Sequence, residues 1–251
     1  MSEIDGNLGR PDGHAIAWRR TPGRGLTVLW LGGFASDMSG TKAEHLARWA
    51  GAAGQDYLRF DYFGHGASSG DFGQGTITRW REDALAVLDE LTQRPVVLVG
   101  SSMGGWIACL IALARPERIK GLVLIAPAPD FTEKLIWPSL TPDQQRQIQT
   151  QGAWILPSAY EPPGIPITRD LIEDGARWSI LGAPIAIRAP VRILQGGEDP
   201  DVPWRHALSL FHAIESPDAV FSLIKDGDHR LSRPPDLARI SAAVAELANP
   251  G

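Results

Sequence analysis

Short apolar runs rich in Val, Ile and Leu alternate along the chain with longer segments of helical period, and few folds accommodate that order. The strand candidates are Ala15–Arg19, Leu26–Leu31, Asp56–Asp61, Val96–Gly100, Gly121–Ala126, Val191–Gln195 and Ala219–Ile224. Thr41–Ala53, Ile77–Leu91, Gly104–Arg115, Trp204–Ile214 and Pro235–Leu247 read as helices. A strand that reaches its parallel neighbour through a helix does so with a right-handed crossover, and successive crossovers cover both faces of the sheet. Strands buried on both faces must be apolar throughout rather than at every second residue, as these runs are. The expected fold class is therefore α/β, a mostly parallel sheet with helices on both faces.

The alternation breaks once. From Asp130 to Ala189 no strand–helix rhythm is visible, and the stretch holds Pro138, Pro142, Pro157, Pro162, Pro163, Pro166 and Pro184. A structureless loop of that length is improbable in a compact domain. Residues 130–189 are expected to form an inserted cap with short helices, such as Asp143–Gln151 and Asp170–Trp178, and residues 1–129 and 190–251 to form the core.

Composition removes several classes of function. With 24 Lys+Arg against 29 Asp+Glu the net charge is −5, whereas nucleic acids and anionic membranes demand concentrated basic residues. Cys109 is the single cysteine, so neither a disulfide framework nor a cysteine zinc site can form within one chain. No uncharged run reaches the roughly 18–20 residues of a membrane span. The opening MSEIDGNLGRPDGH is polar and carries acids, unlike a signal or transit peptide. A cytoplasmic protein without nucleic-acid partner, membrane span, metal or organic cofactor is expected. Oligomeric state has no signature here.

The strongest chemical signal is Val96–Trp106, VVLVGSSMGGW, which contains G-x-S-x-G at Gly100–Gly104 between a strand and a helix. In a nucleophile elbow the central serine occupies a sharp, strained strand-to-helix turn. The helix N-terminus then aims N–H groups and partial positive charge at it. Ser102 is thus the candidate nucleophile rather than Ser101. A serine hydroxyl needs a base, and behind an elbow the partners follow in the order Ser, acid, His. Val191–Gln195 runs into Glu198, Asp199 and Asp201; Asp199, in the turn directly after the strand, is preferred over the other two. Ala219–Ile224 is followed by His229, the only late histidine placed just past a strand. His206 and His212 read as surface or packing residues, and His14 and His45 have no nucleophile context. A tetrahedral intermediate requires donors. The backbone N–H groups of Met103, after the nucleophile, and of Phe34, after Gly32-Gly33, are the candidates.

Other features read as structure. The Asp61–Ser68 loop is glycine-rich but lacks both a dinucleotide fingerprint and a G-K-[ST] ending, so His65 is structural. Cys109 is expected to face the core. Trp137, Trp154 and Trp178 would either line a substrate pocket or pack the cap onto the core. Arg146, Arg169 and Arg177 would either meet a carboxylate or lie on solvated helix faces.

An elbow serine followed by Asp and His resembles the α/β-hydrolase superfamily. Within it the chain resembles the palmitoyl-protein thioesterases and acyl-glucuronide esterases of the mitochondrial, α/β-hydrolase-domain type. The stretches that carry the likeness are Ser36–Ala43 (SDMSGTKA), Arg59–Gly70, Val99–Trp106, Leu156–Tyr160 (LPSAY), Val202–Trp204 and Asp228–Arg230 (DHR). They span nearly the whole chain. The opening residues, unlike a transit peptide, point to a bacterial relative, and Met103 stands where that family has leucine. The resemblance implies a serine esterase or thioesterase with Ser102, Asp199 and His229 as its triad. It also implies an acyl-enzyme intermediate and a small-molecule or acylated-protein substrate. A carbon–carbon hydrolase, a perhydrolase and a ligand-binding receptor of the same fold are the rival expectations.

Overall fold

The computed structural model describes residues 3–157 and 164–248. Ser158, Ala159 and Tyr160 of the LPSAY stretch, with Pro162 and Pro163, lie outside the described residues. In chain order the elements are β1 (Ile4–Gly9), β2 (Ala15–Thr21), β3 (Arg24–Leu31), α1 (Thr41–Ala53), β4 (Gln55–Phe60), α2 (Ile77–Leu91), β5 (Val96–Ser101), α3 (Met103–Ala114) and β6 (Ile119–Ile125). There follow α4 (Trp137–Ser139), α5 (Pro142–Gln151), β7 (Ala153–Leu156), β8 (Ile165–Thr168), α6 (Arg169–Arg177), β9 (Val191–Gly196), α7 (Trp204–Ala213), β10 (Ala219–Ile224) and α8 (Pro234–Ala248).

Eight strands form one sheet in the order β1-β2-β4-β3-β5-β6-β9-β10. β2 runs antiparallel to both its neighbours, and every pairing from β4 to β10 is parallel. The pleat sends successive side chains to opposite faces. Leu29, Leu31, Leu98, Leu122, Leu124 and Ile193 join the core under α2, α3 and α7. Val28, Trp30, Val97, Val99, Val123 and Leu194 join a second core under α1 and α8. Both faces are thus apolar, which is why these strands read as unbroken runs. α3 is buried from Met103 through Ala112, as a helix apolar on all sides must be.

Two features escape the hydrophobic pattern. β1, with the sequence IDGNLG, is an edge strand mostly facing solvent, so it carries no apolar run to betray it. β7 and β8 form a separate antiparallel pair in which Pro166 lies opposite Ile155. Four-residue strands with a proline give too short a period to recognise.

The connection from β6 to β9 opens with a π-helical turn at Thr132–Ile136. α5 starts on a Thr141–Gln144 capping box, and Thr168 caps α6 by accepting from the N–H of Leu171. α6 is fastened to the start of α2: the Asp174 carboxylate accepts from the N–H and hydroxyl of Thr78 at 2.7 and 2.6 Å. The two ends of the connection meet at Asp130, which is buried with φ 54°. Its carboxylate accepts from Ser179 Oγ and from the N–H groups of Ile180 and Leu181 at 2.7–2.9 Å. Among the described residues no helix is long and apolar enough to cross a membrane.

Asp130→Ala would leave those three donors without their acceptor, and an unsatisfied buried group costs about 1–3 kcal/mol. The expected loss is about 3 kcal/mol in urea unfolding, and a change below about 0.5 kcal/mol would show that the clamp does not hold the connection in place.

Candidate active site

The elbow is dictated by how closely three backbones approach. A Cβ on Gly100 would be driven into the carbonyl of Gly104, and one on Gly104 into that of Leu31. Only glycine lets β5 turn into α3 against the end of β3. Ser102 sits at this turn with φ 54° and ψ −118°. A non-glycine residue held there stores about 1–3 kcal/mol unless its surroundings fix it. They do: its N–H donates to Ile125 O at 2.9 Å, and its carbonyl accepts from Gly105 and Ala128 at 2.9 and 3.1 Å.

The loops after β9 and β10 are equally close, since a Cβ on Gly196 would strike the carbonyl of Gly227. That approach brings Asp199 to His229. His229 Nδ1 lies 2.8 Å from Asp199 Oδ2, and His229 Nε2 lies 3.1 Å from Ser102 Oγ. An ionised carboxylate only accepts, so Nδ1 carries the proton and donates, leaving Nε2 to accept from the Ser102 hydroxyl. Of the three acids weighed from sequence, Asp199 makes this bond. Burial pushes Asp199 up, but hydrogen bonds from His229, Val202 and Asp201 outweigh it and hold the carboxyl below its usual range.

Asp199 is 8% exposed and its acceptor sites are filled. Oδ1 takes the N–H groups of Asp201 and Val202, and Oδ2 takes His229 Nδ1 and Gln195 Nε2. Asp199, Asp201 and His229 each bring a ligand atom within 4.8 Å of the others. With both oxygens of Asp199 doubly bonded to donors, however, this set suits an ordered imidazole better than a cation. Gln195 escapes sequence reasoning. Its one signal is an amide at the end of a buried apolar strand.

The loop after β3 runs beside the serine, and a Cβ on Gly33 would stand 3.4 Å from Ser102 Cβ. Phe34 follows, its ring held among Phe72, Trp80 and Phe131 at centroid distances of 5.1, 5.8 and 5.4 Å, and Ala35 takes φ 52°. Met103 opens α3, where the first N–H groups have no intrahelical acceptor. The N–H groups of Phe34 and Met103 make no hydrogen bond among the described residues.

The remaining candidates make contacts of their own. Trp178 is fastened between layers: Nε1 donates to Thr78 Oγ1 at 2.7 Å, its carbonyl accepts from Trp106 Nε1 at 3.2 Å, and Arg81 lies 4.4 Å over its ring. Trp137 and Trp154 pack with Leu140, Ile148 and Ile167 in a small cluster that also touches Phe34. Arg146, Arg169 and Arg177 pair with Asp143, Glu173 and Asp174 on exposed helix faces. His65 is buried; its Nδ1–H donates to Phe63 O at 3.1 Å, and burial pushes it down to about 4. His206 Nε2–H donates to Pro129 O at 2.7 Å, and His45 pairs with Ser241. Cys109 is buried, which pushes its thiol up to about 12 and leaves it inert.

Residues 26–173 match the family described as serine aminopeptidase, S33, and the chain belongs to that family of α/β-hydrolases. It is 34% identical over 241 residues to the mitochondrial palmitoyl-protein thioesterase ABHD10 of Rattus norvegicus, covering 96% of this chain and 81% of that one. Two solved structures superpose along its length. An inferred hydrolase from Agrobacterium vitis does so with TM-score 0.92 and 42% identity over 99% of both chains. Mouse α/β-hydrolase domain-containing protein 10 does so with TM-score 0.89 and 33% identity, over 97% of this chain and 98% of that one.

Two outcomes are expected from the geometry. Ser102→Gly removes the strain at φ 54° at some cost in unfolded-chain entropy, and should raise stability by about 1 kcal/mol; a lower urea midpoint would contradict a stored strain. Because Asp199 is held low, its charge stabilises the fold above the unfolded carboxylate value of about 3.9, and that contribution is lost as pH falls through the lowered value. The stability advantage of the wild type over Asp199→Asn should therefore shrink between pH 5 and pH 2, to about nothing at the acid end.

Proposed function

We propose that the chain is a serine esterase or thioesterase that works through an acyl-enzyme. The observation that carries the proposal is the continuous hydrogen-bonded line from Ser102 Oγ through His229 to Asp199, ending on a hydroxyl at a helix N-terminus. Ser102 is the nucleophile, His229 the base and Asp199 its orienting anion. Family membership supports hydrolysis, and the similarity to a palmitoyl-protein thioesterase supports ester and thioester bonds as its target.

His229 Nε2 takes the Ser102 proton as Oγ attacks the acyl carbonyl carbon. Asp199 stabilises the imidazolium that results and keeps the ring in the productive tautomer. The oxyanion of the tetrahedral intermediate is received by the N–H groups of Met103 and Phe34, which make no hydrogen bond among the described residues. Collapse breaks the bond to the thiol or alcohol, which leaves with the proton from His229. Water then enters, gives a proton to the same nitrogen as it attacks the acyl-serine, and the acid is released as Ser102 Oγ takes that proton back.

The connection from β6 to β9 serves as the cap of this centre, its described residues carried on the Asp130 clamp and on α6. The Trp137–Trp154 cluster reaches Phe34, so the cap abuts the loop that supplies an oxyanion donor. The substrate is an acyl ester or thioester, small or borne on a protein, with its acyl group under the cap.

The test is hydrolysis of p-nitrophenyl esters of two to sixteen carbons and of a palmitoyl thioester, with Ser102→Ala as blank. A maximum at one chain length, lost in the blank along with fluorophosphonate labelling, is expected. Serine-independent turnover would overturn the assignment, and no turnover at any length would favour a receptor or carbon–carbon hydrolase. Asp199→Asn should lower kcat on the order of 10⁴-fold, the size of effect known when an imidazole loses its orienting acid.

A further inference from the structure

Lys42 occupies a place where a lysine is locally unfavourable. It is the second residue of α1, where the positive end of the helix dipole repels a cation. It is half-buried, and burial pushes its ammonium down to about 8 despite the attraction of Asp228. A residue that breaks a local rule usually answers to something beyond its own element. Here its Nζ crosses to the loop after β10 and donates to the carbonyl of Arg230 at 2.6 Å, 188 residues along the chain.

That carbonyl belongs to the residue after His229. The turn carrying His229 is tight. Asp228 Oδ1 accepts from the N–H of Leu231 at 2.9 Å, and Leu231 takes φ 44°, a strained value for a branched side chain. Ser232 Oγ donates to the same Arg230 carbonyl at 3.0 Å. The SDMSGTKA and DHR stretches, neither of which is accounted for by the triad beyond His229 itself, are thus joined by the Lys42 bond.

We propose that Lys42 is a positioning residue, its ammonium holding the Arg230 carbonyl and facing Asp228 so that the turn aims His229 Nε2 at Ser102. The charged groups facing it are Asp228 and Arg230 on that turn, and Asp37 on the loop before α1, which lines the same small cavity. Lys42 touches no reacting atom. It acts by narrowing the range of angles His229 can adopt, and displacement of a catalytic group by about 1 Å can cost on the order of 10²-fold in rate. The ammonium is charged below about 8 and neutral above it, so its hold on the turn weakens as pH rises through that value.

The proposal rests on His229 being the base, and the experiment separates the two. kcat and KM for p-nitrophenyl butyrate are measured from pH 6 to 10 for the wild type, Lys42→Met and Lys42→Arg, with Ser102→Ala as blank and a thermal melt for each. Lys42→Met keeps the apolar stem and should lose about tenfold or more in kcat with KM held within about twofold and an unchanged melt. The wild type should lose rate above pH 8 and Lys42→Met should not. Lys42→Arg, charged past pH 10, should recover most of kcat and keep it through the alkaline range. A Lys42→Met variant with wild-type kcat, or one that retains the alkaline fall, overturns the positioning role alone. Wild-type rates equal to the Ser102→Ala blank overturn the base assignment and this proposal with it.

Discussion

The centre depends on Ser102 holding a backbone conformation that an L-residue avoids. β3, β5 and α3 approach so closely that Gly100 and Gly104 have no room for a Cβ, and the chain can pass from strand to helix only through a positive φ at the residue between them. Three backbone hydrogen bonds, to Ile125 of β6, from Gly105 in the first turn of α3 and from Ala128 just beyond β6, over-determine that conformation. The hydroxyl is thereby lifted out of the sheet and set at the start of a helix buried from Met103 through Ala112, whose N-terminal N–H groups face whatever charge develops beside it. The sheet supplies the rigidity: with both faces covered by apolar side chains, strand ends cannot shift without disturbing two cores.

Asp199 and His229 reach Ser102 by the same device on the other half of the sheet. β9 and β10 are parallel neighbours in register, Gln195 opposite Leu223 and Gly196 opposite Ile224, so their loops emerge side by side. Gly196 lets them touch. The pairing then follows from electrostatics. Asp199 is buried, which alone would disfavour its charge, and four donors restore it. A carboxylate so fully satisfied has no freedom to rotate away from His229. The other side of that histidine is governed by a turn whose own geometry is strained at Leu231, and it is there that α1 reaches across with Lys42.

The connection between β6 and β9 meets this centre through Phe34. Its ring bridges the main core and the Trp137–Trp154 cluster, and its N–H is a proposed oxyanion donor. Packing in the connection and the placement of that donor are thus mechanically linked. Asp130 and Asp174, two buried carboxylates each bound to more than one donor, fasten the connection where its two ends meet and at α6. A polar clamp of this kind fixes register where apolar contacts alone would slide.

The seven apolar strands, the five core helices, the strand-to-helix turn at Ser102 and the candidacy of Asp199 and His229 were legible in the chain itself. Each rests on local chemistry: hydrophobic period for the elements, and glycines at fixed spacing around Ser102 for the turn. The edge strand β1 and the short β7–β8 pair were not, because neither buries enough apolar surface to leave a period. The bond from His229 to Asp199, the packing of Trp178 against Thr78 and Arg81, and the reach of Lys42 to Arg230 belong to tertiary structure. They depend on distances between segments tens to hundreds of residues apart, which the parallel sheet sets through crossovers and register. A sequence states which side chains are available; only the packed sheet determines which of them stand within 3 Å of one another.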